Sequence, residues 1–216
     1  MPTRAHASLL LTGLALIGLT RAAVAQTEYR PVQVGKQPAK AKAKAAKLIT
    51  WSAKPGSQAQ LDPELPLFGW SIRPPRGFVY TQKFDNHNQL YIFQGHTRAD
   101  NTAPSMWIIL GDVKNGKIHK PTEEEVLDLF MLQLHQNRDN WKVAPYQVGS
   151  IRGRRFIRRR WSATEPVDGA THHLHGTVYL TVVGATFAAV TLQAIEPGAG
   201  SDLALMETSA LSFHKR

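Results

Sequence analysis

Apolar and polar residues alternate along "LFGWSIRPPRGFVY" (67–80), where Phe68, Trp70 and Ile72 share one face at period two before Pro74-Pro75 and Gly77 end the run. This is a strand pattern closed by turn residues. "QLYIFQGH" (89–96) and "SMWIILGDV" (105–113) follow as further strands, the second apolar enough for the centre of a sheet. In "KPTEEEVLDLFMLQLHQNRDNW" (120–141) the period changes. Val126, Phe130 and Leu134, with Leu127 and Met131, make one apolar stripe at helical spacing. Thr122 with Glu125 three residues later is a capping box, and Glu123 and Glu124 suit the positive end of the helix macrodipole. An amphipathic helix lying on a sheet is expected.

Strands resume in "YQVGSIRGRRFIRRRWSA" (146–163) and in the stretch from His172 to Ala194. No charged residue falls between His175 and Glu196, yet threonines recur through the segment and Gly184-Ala185 sits at its middle, so it reads as two paired strands around a type II′ turn rather than a membrane span. "PGAG" (197–200) breaks the chain. Ser201 is a candidate N-cap for a closing helix with Leu203, Met206, Ala210 and Phe213 at helical spacing. The expected fold class is α+β, a mainly antiparallel sheet packed with two main helices in a single domain over residues 61–216.

The N-terminal part is different in kind. Arg4, the apolar run Leu9 to Leu19 and Ala23-Val24-Ala25 have the order of a secretory signal peptide over residues 1–25, with an apolar stretch too short to span a bilayer. Export to a periplasmic or extracellular location is expected, with no transmembrane helix in the mature chain. The net charge of +10 is concentrated just after that segment, since Arg30, Lys36, Lys40, Lys42, Lys44, Lys47 and Lys54 face Glu28 alone in residues 26–54. Within the linker at 26–60, "QPAKAKAKAAK" (37–47) has no apolar residue larger than alanine and cannot offset the entropy of ordering. Its lysines Lys40, Lys42, Lys44 and Lys47 can supply attraction to an anionic surface. The chain has no cysteine, which excludes disulfides, thiol nucleophiles and a cysteine-borne lipid anchor.

The strand running into Pro-x-Gly-aromatic at "GWSIRPPRGFVY", the single long central helix, the strand centred on "SIRGRRF" and the closing helix ending in "LSF" together resemble the Mog1/PsbP/DcrB-like α/β/α sandwich family over residues 61–216. The resemblance implies an accessory or binding module, as in extrinsic photosystem subunits, a partner of a Ran-type GTPase and bacterial envelope lipoproteins. It brings no shared catalytic residue, and this chain departs from the lipoprotein members by lacking an anchoring cysteine.

Two clusters carry candidate chemistry. "IRGRRFIRRRW" (151–161) offers Arg152, Arg154, Arg155, Arg158, Arg159 and Arg160 as contacts for phosphate, carboxylate or an acidic partner. On one continuous strand, Arg152, Arg154, Phe156, Arg158 and Arg160 would share a face opposite Arg155, Ile157, Arg159 and Trp161. The competing expectation is an edge strand whose charges resist sheet-to-sheet association, several of them paired with the domain's own acids. In "THHLHG" (171–176), His173 and His175 project from one face at a spacing that suits two metal ligands, with His172 opposite.

"GDVKNGKI" (111–118) lacks the Ser or Thr that a P-loop places after its lysine, and Asn115-Gly116 is a hairpin turn signal. No G-x-S-x-G elbow occurs. No cofactor is expected. The small charge excess outside the tail, together with export, argues against a nucleic-acid partner. The expected function is a non-catalytic binding or accessory protein of the cell envelope, whose partner is a protein or an anionic envelope component. The alternatives are a hydrolytic or metal-assisted enzyme centred on the His173 and His175 strand, and a binder of anionic envelope polymer through the lysine tail and arginine strand.

Overall fold

The computed structural model describes residues 48–84, 88–113, 122–136, 138–167 and 169–216. The segment expected to be a signal peptide, the lysine tail and the Asn115-Gly116 turn lie outside them. One compact unit runs from Leu48 to Arg216. It therefore includes residues ahead of Leu61, because β1 (Ile49–Thr50) pairs in parallel with β8 (Gln147–Ile151) and a 3-10 turn covers Ser57–Gln60.

The remaining strands are β2 (Leu65–Leu67), β3 (Trp70–Ile72), β4 (Val79–Phe84), β5 (Asn88–Gln94), β6 (Ser105–Asp112), β7 (Asp139–Val143), β9 (Arg154–Val167), β10 (Ala170–Val183), β11 (Thr186–Ile195) and β12 (His214–Lys215). The helices are α1 (Glu123–His135) and α2 (Ala199–Ala210). Among the described residues nine strands form one sheet in the order β1-β8-β9-β10-β11-β6-β5-β4, with β7 also pairing with β9; a smaller sheet has the order β12-β3-β2. All pairings but β1 with β8 are antiparallel. The expected α+β class is the observed one.

In the central strands alternation sends side chains to two apolar layers. Ile157, Trp161 and Ala163 of β9 join Leu174, Val178 and Leu180 of β10 beneath Val126, Leu127, Phe130, Met131 and Leu134 of α1. Phe156, Tyr179, Val190, Leu192, Met106 and Phe93 face the other way, toward Met206 and Ala210 of α2 and toward Trp70 and Ile72 of the small sheet. Each such large side chain contributes about 1.5–3 kcal/mol on burial.

The capping box of α1 is present: Glu125 N–H donates to Thr122 Oγ1 at 3.2 Å, and Thr122 N–H donates to Glu125 Oε2 at 2.8 Å. At α2 the expected cap is displaced. Gly198, at φ 97°, is the N-cap, and Ser201 Oγ instead donates back to Gly198 O at 2.9 Å. Phe213 lies beyond the end of α2 but is fully buried. Val183 and Thr186 pair across Gly184-Ala185, and Gly184 has φ 65°, the sign a type II′ turn requires at that position.

Gly176 stands directly opposite Trp161 in the β9–β10 ladder, and a Cβ built there would overlap the indole. Because overpacking a filled layer costs about 1–3 kcal/mol, Gly176→Ala is expected to lower the unfolding free energy by that amount, read as a lower urea midpoint at unchanged m-value. A wild-type midpoint would show that the indole can move aside.

Candidate functional site

The arginine-rich segment is not one strand. Arg152 and Gly153, with φ 49° and 78°, form a two-residue turn between Ile151 and Arg154, so β8 and β9 are a hairpin. Nor is β9 an edge: β8 and β7 pair along one side of it and β10 along the other. Arg152 therefore stands at a hairpin tip and not on the strand face expected for it. The run from Phe68 to Ile72 is interrupted in the same way, because Phe68 and Gly69, at φ 28° and 77°, turn between Leu67 and Trp70.

Position along the strand sorts the arginines. Arg155 is ion-paired with Glu123, and its Nη2 lies 3.6 Å from Glu124 Oε1, both at the start of α1. Arg159 Nη1 lies 2.7 Å from Asp128 Oδ1, also on α1. Arg160 Nη2 lies 3.3 Å from Glu207 Oε1 on α2. Arg158 donates to Gln147 Oε1 at 2.5 Å and to Tyr179 Oη at 3.3 Å, with its guanidinium 4.6 Å from the centre of the Trp51 ring. Burial pushes the Tyr179 hydroxyl above the ordinary tyrosine range, Glu207 adding to the effect against Arg158. It stays a neutral phenol that packs and accepts a hydrogen bond.

Arg152 and Arg154 differ: among the described residues neither has a carboxylate within ion-pair distance, and Arg152 feels the charge of Glu64 from farther away. The Arg154 guanidinium lies over Trp70 at 5.6 Å, and Arg152 Nη1 lies 3.2 Å from His214 Nδ1. They line a shallow open depression of about 540 Å³ together with Arg155, His214 and Lys215. The short β12 brings the last two there by pairing His214 with Ser71 and Lys215 with Trp70. Glu64 faces this end, its Oε1 3.7 Å from His214 Nε2 and its charge acting on Arg152 and Arg216. The chemistry on offer is recognition of anionic oxygen by arginine and lysine, in a site open to solvent.

The histidines of this strand have separate surroundings. His175 Nε2 lies 3.4 Å from Glu196 Oε1, His172 Nδ1 lies 4.0 Å from Asp100 Oδ2 on the opposite face, and His173 is exposed. Hydrogen bonds from the Thr102 side chain and backbone hold the Asp100 carboxyl below its ordinary range. Among the described residues no three His, Asp or Glu side chains come together to hold a metal ion. Lys40, Lys42, Lys44 and Lys47 lie outside the described residues.

Sequence reasoning passed over Phe68, His214 and Lys215. Phe-Gly and Arg-Gly are not dipeptides that signal a two-residue hairpin, and the placing of His214 and Lys215 depends on the distant pairing of β12 with β3.

The described residues thus define an α+β fold, a mainly antiparallel sheet packed with two helices, with an open cationic depression at one end. No protein-family model matches the sequence, and no curated protein is similar to it. Among solved structures, cyanobacterial PsbP (CyanoP) from Synechocystis sp. PCC 6803 is similar in fold at 15% identity and a TM-score of 0.48, the match covering 84% of this chain and 100% of that one. The Ran-binding protein Mog1p of Saccharomyces cerevisiae has 13% identity and a TM-score of 0.44, over 71% of this chain and 95% of its own. LpqN of Mycobacterium tuberculosis, described as involved in cell envelope biogenesis, has 12% identity and a TM-score of 0.42, over 76% and 96%. These likenesses concern the chain's path alone. No helix among the described residues is long and apolar enough to cross a membrane.

Proposed function

We propose that this chain is an exported, non-catalytic binding or accessory protein of the cell envelope. It meets an anionic partner, a protein or an envelope component, through the end where the β8–β9 turn and β12 come together. One observation supports the proposal above the rest: among the described residues Arg152, Arg154 and Lys215 share an open depression with no carboxylate within ion-pair distance of them, Glu64 acting on Arg152 only from farther away, whereas Arg155, Arg159 and Arg160 are held by acids of the two helices. The signal-like residues 1–25 support export, and Lys40, Lys42, Lys44 and Lys47 add attraction of the same sign.

Retention of residues 26–216 on the native envelope fraction at low salt tests this. Each basic side chain near an anionic surface contributes about 1 kcal/mol. Arg152→Glu/Arg154→Glu/Lys215→Glu is therefore expected to reduce retention at least tenfold with residues 26–47 left in place. Equal retention of wild type and triple variant would overturn the proposal.

A further inference from the structure

We propose that the cationic end of the domain docks on an anionic phospholipid surface, with Phe68 entering the headgroup region while Arg152, Arg154 and Lys215 meet lipid phosphates. The inference rests on the binding role above and names the partner.

Its starting point is the backbone. A two-residue turn with φ positive at both central residues is the type I′ geometry, which strongly favours Asn-Gly, Asp-Gly or Gly-Gly. At the first of those positions this chain has Phe in one hairpin and Arg in the other, at φ 28° and 49°. A bulky residue at positive φ is strained, and strain retained in a fold is a pointer to function. Local folding gives no reason for either choice.

Exposure sharpens the point. Leu67 and Trp70, on either side of the β2–β3 turn, are buried, yet Phe68 between them is 76% exposed. The two turns are also neighbours in the fold. Arg216 N–H donates to Gly69 O at 3.0 Å, Lys215 pairs with Trp70, and Arg154 lies over the Trp70 ring. His214, next along β12, lies beside Arg152. The turn that carries the exposed aromatic thereby adjoins Arg154, Lys215 and Arg216, with Arg152 beside His214, and Glu64 acts on the same end.

That combination selects among anionic partners. A soluble polyanion would use the cations and leave the aromatic in water. A protein partner of ordinary interface size would need a broader apolar centre than one phenyl ring. A bilayer surface uses both, since it is negative at the phosphates and accepts an apolar side chain just beneath them. Contact through two turn tips also requires no cavity, in keeping with a shallow depression.

Co-sedimentation of residues 26–216, which keep the whole Leu48–Arg216 unit, with vesicles of equal phosphatidylglycerol and phosphatidylcholine or of phosphatidylcholine alone is the test. Wild type is expected to bind the mixed vesicles, weakly or not at all the neutral ones, and less as salt rises. Phe68→Asn/Arg152→Asn installs Asn-Gly in both turns. It is expected to raise the melting temperature and to weaken vesicle binding at least tenfold with the tail lysines intact. Phe68→Gly/Arg152→Gly, also suited to the turn, must lose binding likewise.

Absence of wild-type binding, or turn variants that bind as wild type does, would overturn the lipid assignment. If wild type ignores the vesicles while its retention on the envelope fraction still depends on Arg152 and Arg154, the partner is a protein or polymer. The lipid inference then fails and the proposed function stands.

Discussion

Arg138→Ala is expected to destabilise the domain by about 3–5 kcal/mol, because it strips the partner from a carboxylate that is itself out of water. The Arg138 side chain is 9% exposed and that of Glu165 14%, with Nε and Oε2 3.2 Å apart. The same guanidinium donates to Gln193 Oε1 at 2.9 Å and to the Leu134 carbonyl near the end of α1, and it lies 5.1 Å from the centre of the Trp161 ring. One cation thus ties α1, β9 and β11 together and satisfies a late helix carbonyl. Burial holds its proton affinity below the ordinary arginine range, with the Glu165 carboxylate opposing that effect. Urea unfolding measures the loss. Arg138→Met/Glu165→Met, which removes both charges, is expected to recover much of it. A single variant costing less than about 1 kcal/mol would mean that water reaches Glu165.

Phe213→Ala is the second large expected effect, also about 3–5 kcal/mol. Phe213 is 0% exposed although it follows the last turn of α2. Its ring stacks on Trp70 at 4.7 Å with planes 4° apart and meets Phe156 edge-on at 6.4 Å. Truncation opens a cavity where α2, the small sheet and β9 meet, and those backbones are held by hydrogen bonds that prevent full collapse. Chemical unfolding reads the energy, and the emission of Trp70 should change in the folded variant. A loss comparable to that of a surface substitution would show that Trp70 refills the space.

Legibility followed the range of the determining interaction. α1 was readable because its stripe from Val126 to Leu134 and its Thr122–Glu125 box are local, and both are present. The β10–β11 hairpin was readable because Gly184 suits its turn. The Phe68–Gly69 and Arg152–Gly153 turns were masked by residues that local preference places elsewhere, so each run looked like continuous strand. The central place of β9 depends on partners distant in sequence, and so do its ion pairs. Arg155 and Glu123 stand 32 positions apart, Arg160 and Glu207 47. No pattern within the arginine run distinguishes a paired guanidinium from one left for a partner.

The arginines of β9 alternate between layers, gripping α1 through Arg155 and Arg159 and α2 through Arg160. Both outer covers are consequently moored to a single backbone. A tug that peels either helix away is transmitted along that shared spine to the opposite side, so the layers should come apart together, in one melting step.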